Sequence, residues 1–497
     1  MFISRVQGFR SSLQTIKRGS RYISVKSSND KPYNSSQKGC SKGALSVKGV
    51  SSIKSNIDYC YQHNLSVIPQ GGNTNLVESA TPVQHSSPLY LMGQDSSDLS
   101  VDVKNKVITA DAGATILDIQ QKAQDYNLRF DLDFGSKGTA TIGGALATNA
   151  GGMRNRISDL VVSMAGVTGN QDYLQQNITE RPTIKNSVLP DKQYSWLGSQ
   201  GYFGFIHHCQ LLLKEPSQQE ITLLLGFGSL SDSLRWLGRI RQPSLSLAEL
   251  ISKQALSAAE LRPFSKGYDY YLLCQFQQSQ LESTWTDQLL ESVMFWIAKH
   301  NLDADVIITQ SDVQTQQLLA ARESISDQLR SLARSNGQSL LGLDLQIPNH
   351  NLHLFMTKAS QLATDFWGAR PFPFGHCAQH PHYTTVHFNC LIEDSNKEFD
   401  RFYIQKDPLL TSFVNQADSA KTLSQFLVWF SHYLNGAHSS EHGGLGSRHL
   451  DHTVRYSNKE LLDHFVAQKM LHDPNHIFQR DRWNQFLDLY QRRFDSY

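Results

Sequence analysis

The chain has 497 residues, enough for two or three domains, each with its own core. Its 46 basic and 45 acidic side chains nearly balance, so nothing in the charge points to nucleic acid as the main partner. No apolar run approaches the roughly 18 residues needed to span a bilayer, and six scattered cysteines without a CxxC pair fit a reducing compartment without structural disulfides.

The N-terminus is skewed. Arg5, Arg10, Lys17, Arg18, Arg21, Lys26 and Lys31 are opposed only by Asp30, and serines are frequent, as in a mitochondrial transit peptide. Val50, Ile53, Ile57 and Tyr61 then recur at helical spacing, and LSVIP reads as a strand. That strand enters a first glycine-rich loop, PQGGNTN at 69–75. A strand is predicted over 106–112, followed by a helix with Ile116, Ile119 and Ala123 on one face, capped by Thr115 with Asp118 three residues on. A second glycine-rich stretch, GSKGTATIGGALATNAGG, occupies 135–152. The region to about Glu215 reads as mixed α/β with several short strands.

From 216 to 375 the rhythm changes. Strands are predicted near 221–227, 268–276, 304–309 and 340–348, with helices near 229–241, 282–300, 311–335 and 350–366. This pattern suggests an α+β cap of ferredoxin-like character. The segment 384–390 alternates like a strand, with Thr384, Val386 and Phe388 on one face and Thr385, His387 and Asn389 on the other. The stretch 441–497 opens glycine-rich and closes with a helical, aromatic tail. No internal repeat is evident.

Two groups of residues carry chemistry. Glycine lets a ligand approach the main chain closely, and successive N–H groups in such turns form nests that hold phosphate oxygens. Two such loops suggest a large diphosphate ligand held from both sides, with Asn73, Thr74, Asn75, Thr148 and Asn149 adding neutral hydrogen-bonding groups. Neither loop is a GxGxxG dinucleotide fingerprint or a GxxxxGK[ST] loop. The second group is His376, His380, His382 and His387 in one short run, with Glu441 beside His442 in SSEHGG farther on. Imidazole and carboxylate together suit Zn²⁺ or a similar divalent ion; from spacing alone a surface histidine loop is the other reading.

The two loops resemble those of the PCMH-type FAD-binding domain of the vanillyl-alcohol-oxidase superfamily, over about Lys42 to Trp483. Within it, the D-2-hydroxyglutarate and D-lactate dehydrogenase branch is most similar, with loops PQGGNTGLVGG and GGNxATNAGG. The resemblance implies an α+β fold: a basic tail at 1–40, a two-subdomain FAD-binding domain at 41–215, a cap that binds substrate at 216–440, and a segment at 441–497 that returns to the flavin. FAD would be held by Pro69, Gln70, Gly71, Gly72, Asn73, Thr74 and Asn75, by Gly135, Gly138, Thr139, Gly143, Gly144, Ala147, Thr148, Asn149, Gly151 and Gly152, and by Gly201, Gly204 and Ile206. No His or Cys in the first loop offers a flavin link, so FAD is expected to be noncovalent. Relatives already place folded structure before the first loop, so the expectation is a basic tail on a cytoplasmic protein, with the mitochondrial matrix as the alternative. A homodimer is left open.

The branch also carries GHxGDGNxHxN and S[AG]EHG. Carried over, His376, His387 and Glu441 would hold Zn²⁺ or Mn²⁺, His442 would be the catalytic base, and Asn389 a substrate contact. Arg322 in LAARESI matches an arginine that pairs with the substrate carboxylate, for which a guanidinium fork is suited. The implied activity is FAD-dependent oxidation of a small D-2-hydroxy acid, with an electron acceptor that the sequence does not name. Departures are several. CAQHPHYTTV replaces the GDGN turn, so His380 or His382 could serve in place of His387, or the ion could be absent. A lysine directed at a distal carboxylate falls at Gly342, and GSEGTLGI appears as GSQGYFGF with Gln200 in place of the acid. These departures support an alternative, a catalytically degenerate FAD-binding paralogue with a structural or partner-binding role.

Overall fold

The computed structural model describes residues 14–16, 23–26, 43–47, 49–75, 77–81, 89–93, 98–179, 188–190, 193, 195–240, 244–278, 280–309, 311–378, 380, 382–394, 407–416, 422–438 and 443–494. The helix Gly49–Gln62 buries Ile53, Asn56, Ile57 and Cys60, the 3–4 residue spacing of an amphipathic helix. Tyr61, expected on that face, is exposed, because Cys60 takes the inward position. The helix connects Gly43–Val47 to Val67–Gln70, and both strands run parallel to Leu89–Gly93 between them. Two short strands within the basic N-terminal stretch, Gln14–Ile16 and Ile23–Lys26, extend this sheet in antiparallel pairing.

A second five-stranded sheet is antiparallel throughout, in the order Leu99–Asp102, Val107–Asp111, Gly204–Leu212, Val161–Thr168, Tyr173–Asn177. The helix Ile116–Gln124 packs on it through Ile116, Ile119 and Ala123. Its start is the capping box expected from sequence: the Thr115 hydroxyl accepts from Asp118 N, and the Asp118 carboxylate accepts from Thr115 N. The two sheets are the two subdomains that the resemblance leads one to expect of an FAD-binding domain.

The cap between Gln219 and His438 is one eight-stranded antiparallel sheet. Its first half runs Gln219–Phe227, Leu230–Ile240, Leu245–Ser252, Tyr270–Gln278, Trp285–Lys299, Ala304–Ile308. This is strand–helix–strand–strand–helix–strand, with strands in the spatial order fourth, first, third, second. The second half repeats it with Ser339–Pro348, Leu352–Trp367, Arg370–His376, Tyr383–Ile392, Leu423–Tyr433 and Ala437–His438. The ferredoxin-like expectation therefore holds twice, and the duplication is one of topology that leaves no mark in residue identity. The halves join where Glu249–Ile251 pair with Phe374–His376.

Alternation sorts the two faces of this sheet. Ala248, Leu250, Leu343, Leu345, Val386, Phe388 and Cys390 point into a core with the helices Leu230–Ile240, Leu352–Trp367 and Leu423–Tyr433. The other face carries Leu247, Ile251, Phe372 and Phe374 and packs on the long helix Asp312–Ser335 through Leu319, Ile325 and Leu329, and on Met153 of the FAD-binding domain. That second face points toward the glycine loops.

The C-terminal helices Leu450–Tyr456, Lys459–His472 and Arg480–Phe494 return to the FAD-binding domain, where Phe465, Trp483 and Phe486 join its core. Among the described residues, no helix is long and apolar enough to cross a membrane, and the five described cysteines are buried.

Candidate active site

A cleft of about 730 Å³ lies between the FAD-binding domain and the cap, lined by both glycine loops, by Ser199–Gly201 and Gly204–Ile206, and by Arg322, Phe374, His376 and His387. Close packing of main chain on main chain builds its floor. A Cβ on Gly72 would stand 2.0 Å from the Thr139 carbonyl oxygen, so only glycine lets the two loops touch. Asn73 next to it has φ +50°. In the second loop much of the amide supply is already used: Thr139 and Ala140 donate to Ser136 O, Ile142 to Ala114 O, Gly143 to Ala112 O and Gly144 to Thr141 Oγ1. Room for an anion on main chain is thereby narrowed to the first loop and the Gly135–Gly138 turn.

Opposite this floor, four side chains form a row across four strands. In the sheet register Glu249 faces His376, and Asp344 faces His387. His376 and His387 are diagonal neighbours, since His376 pairs with Thr385. The hydrogen bonds follow the register. His376 Nδ1 lies 2.5 Å from Glu249 Oε1, and His387 Nδ1 lies 2.6 Å from Asp344 Oδ1. The two Nε2 atoms face each other at 2.9 Å. Arg322 closes the row: its Nε donates to Glu249 Oε2 at 2.6 Å, its Nη2 lies 2.6 Å from the same oxygen, and its guanidinium stacks over Phe374 with 4.5 Å to the ring centroid. Burial alone would raise the Glu249 pKa, but Arg322 and His376 outweigh it and hold the carboxyl below its ordinary range.

Residues 216–482 match the C-terminal domain of FAD linked oxidases, and residues 42–174 match an FAD binding domain. The former match alone spans more than half of the sequence. The chain belongs to the FAD-linked oxidases. Among its relatives are two provisionally named mitochondrial proteins. One is a D-2-hydroxyglutarate dehydrogenase of Oryza sativa subsp. indica, 25% identical, covering 88% of this chain and 74% of that protein. The other is a D-lactate dehydrogenase of Schizosaccharomyces pombe, 26% identical, covering 87% and 80%. A D-2-hydroxyglutarate dehydrogenase of Xanthomonas citri pv. viticola is 25% identical, covering 88% and 89%. A solved structure of alkyldihydroxyacetonephosphate synthase shares the fold at 13% identity and a TM-score of 0.65, covering 88% of this chain and 77% of that one.

In this FAD-linked oxidase the residues expected from sequence to hold FAD line the cleft, except Asn149. Asn149 instead ends the short helix Ile142–Thr148 in the left-handed conformation, φ +50°, and is buried behind the cleft wall. Arg322, His376 and His387 line it, whereas Asn389, on the same face as His387, stands against Gly342, where an added Cβ would meet Asn389 Oδ1 at 2.8 Å. The altered turn after His376 does not displace His387, because strand register and not loop length sets their separation. His380 and His382 pack on each other, with the His382 amide donating to His380 Nδ1, and do not join the row. Glu441 and His442 lie outside the described residues.

Sequence reasoning missed Glu249 and Asp344, the carboxylates behind both histidines. It also missed the stripe Glu323, Ser326, Asp327 and Arg330 that the helix Asp312–Ser335 turns toward the cleft below Arg322. Helical spacing from Arg322 was the available signal for the stripe. The C-terminal segment completes the wall behind the first loop. Gln479 Nε2 donates to Ser79 O and Gln200 O, both at 2.9 Å, and buried Arg482 donates to the carbonyls of Glu78 and Thr81. Beneath it Lys469, fully buried, donates to Asp473 at 2.5 Å and to the carbonyls of Tyr202 and Phe478.

Proposed function

We propose that the protein oxidises a small D-2-hydroxy acid to the 2-oxo acid, using noncovalent FAD in the cleft between the glycine loops and the cap. The observation that carries this reading is the convergence of Arg322, His376 and His387 on one wall of that cleft. FAD, when bound, supplies the two-electron acceptor, and the protein supplies position and electrostatics.

Arg322 would hold the substrate carboxylate. Glu249 occupies one edge of its guanidinium and Phe374 one face, leaving the remaining N–H groups for a bidentate partner. The histidine pair is suited to a cation. With Nδ1–H donating to a carboxylate on each side, both Nε2 lone pairs point at one another, an arrangement that a proton or a metal ion between them relieves. Among the described residues no three His, Cys, Asp or Glu side chains are grouped to hold a metal ion. Glu441 would be the third ligand beside His376 and His387. Zn²⁺ or Mn²⁺ there, when bound, would supply Lewis-acid polarisation of the substrate hydroxyl. His442 would take the hydroxyl proton, a task matched to imidazole near neutrality.

The test is an anaerobic titration of the holoprotein with D-2-hydroxy acids, with Zn²⁺ or Mn²⁺ supplied, following loss of oxidised-flavin absorbance. Bleaching by one of them, abolished in His442→Ala with flavin retained, is expected. A flavin that stays oxidised with every 2-hydroxy acid overturns the proposal.

A further inference from the structure

The second glycine loop is tied to the cap from both of its ends, and both ties reach the same strand. Arg129 precedes the loop and Arg154 follows it. Arg129 Nη2 donates to Gln277 Oε1 at 2.9 Å, and Arg154 donates through Nε, at 3.1 Å, and through Nη2 to Gln275 Oε1. Both glutamines belong to the cap strand Tyr270–Gln278, two residues apart and so on one face. A single carboxylate on the neighbouring strand sets both carboxamides. Gln275 Nε2 donates to Glu220 Oε1, and Gln277 Nε2 donates to Glu220 Oε2 at 2.6 Å. Gln275 is fully buried, and Thr222 Oγ1 accepts a further bond from its Nε2 at 3.2 Å. Each amide nitrogen is thus committed to the acid, which leaves each amide oxygen for an arginine.

The two ends of the loop are also joined to each other. Asn155 Nδ2 donates to Asp131 O at 3.1 Å, and Met153 N donates to Asp133 O at 3.2 Å. Between those ends, residues 134–136, 138–141 and 150–153 line the cleft. On the cap side, Leu273 shares the face of Gln275 and pairs with Glu249, the carboxylate that holds Arg322 and His376. Gln275 and Glu249 are therefore diagonal neighbours across paired strands. We propose that Gln275 and Gln277 are positioning residues: with Glu220 they hold the wall bearing Arg322 and His376 over the second loop, so that FAD bound at the loop orders the cap. Coupling of this kind is reciprocal, and a cap held in place also favours FAD. Neutral amides suit the task, because an acid at either position would stand against Glu220 and an apolar residue would leave an arginine without its acceptor. The proposal rests on FAD in this cleft and not on the choice of substrate.

Hydrogen exchange read by mass spectrometry, on the full chain without FAD and reconstituted with it, is the test. In the parent, FAD should slow exchange about tenfold or more both in 131–154 and in 270–278. Gln275→Met should keep the protection of 131–154 and lose that of 270–278, with FAD bound about tenfold more weakly. Exchanging the two groups, as Gln275→Glu with Glu220→Gln, keeps a donor opposite an acceptor at every contact and should restore both. A cap strand that FAD leaves unprotected in the parent, or protects equally in Gln275→Met, overturns the proposal. So does an exchanged pair that behaves as Gln275→Met does, which is the mark of a packing role. If FAD protects neither region, the placement of FAD falls with it. Should Gln275→Met fail to fold, Gln277→Met at the half-buried end of the strand takes its place and decides in the same way.

Discussion

Glu249 and His376 stand opposite each other in neighbouring strands, and 2.5 Å separates Oε1 from Nδ1. This contact crosses the line where the two halves of the cap sheet meet. The other oxygen of the same carboxylate accepts from Arg322, so one buried side chain orients both the anchor for a substrate carboxylate and the first of the paired imidazoles.

Glu249→Gln should accordingly be far more damaging than a surface change. It leaves the Arg322 guanidinium buried without its counter-charge, for which a loss of about 3–5 kcal/mol is expected. Combining it with Arg322→Met should recover much of that loss, giving a large coupling energy in a double-mutant cycle. Chemical denaturation of the four proteins, followed by tryptophan fluorescence of the cap, measures it. Additive losses would show that the two groups do not act as a pair.

Gly72→Ala tests the floor of the cleft. The added methyl meets the Thr139 carbonyl, which is main chain and cannot rotate away. The two glycine loops must separate, with a stability loss of about 1–3 kcal/mol and a protein purified with little bound flavin. The ratio of flavin to protein absorbance reports the outcome; a fully yellow Gly72→Ala protein would mean that the loops do not need this contact.

A third expectation concerns acid stability. His432 Nε2 lies 2.8 Å from His438 Nδ1, His438 Nε2 lies 3.3 Å from Thr453 Oγ1, and His452 packs beside them. Burial pushes His432 and His452 down to about 4, and His438 well below its usual value. In the unfolded chain these imidazoles take up protons near pH 6.5, while in the folded chain they stay neutral. Stability from this cluster is therefore fully present above about pH 6.5 and is lost as pH falls toward 4, by up to about 1.4 kcal/mol per unit for each histidine. Thermal melts between pH 7 and 5 should fall steeply for the parent and less steeply for His438→Gln. A parent melting temperature that does not change over this range would contradict it.

The parts legible in the sequence are those whose chemistry is local. Glycine runs announce both loops, alternation places His387 on the face of its strand opposite Val386 and Phe388, and the Thr115–Asp118 spacing marks a helix start. Glu249 was illegible for a physical reason. Its strand, LSLAELIS, is rich in good helix formers, and it becomes a strand only because it is paired on both sides in the sheet. Its partner His376 is far away in sequence, and no spacing rule ties the two. Asp344 lay within reach, as the polar member of an alternating run whose neighbours Leu343 and Leu345 are buried. The helix-ending place of Asn149 was not legible, because composition does not tell a ligand group from a residue that ends a helix.

The bonds from Gln479 and Arg482 to the stretch between Glu78 and Thr81 join the far end of the chain to its first third. A growing polypeptide on the ribosome would have both glycine loops long before it had the helices that brace them. The wall behind the first loop is thus complete only once Gln479 and Arg482 have been made and have folded onto it.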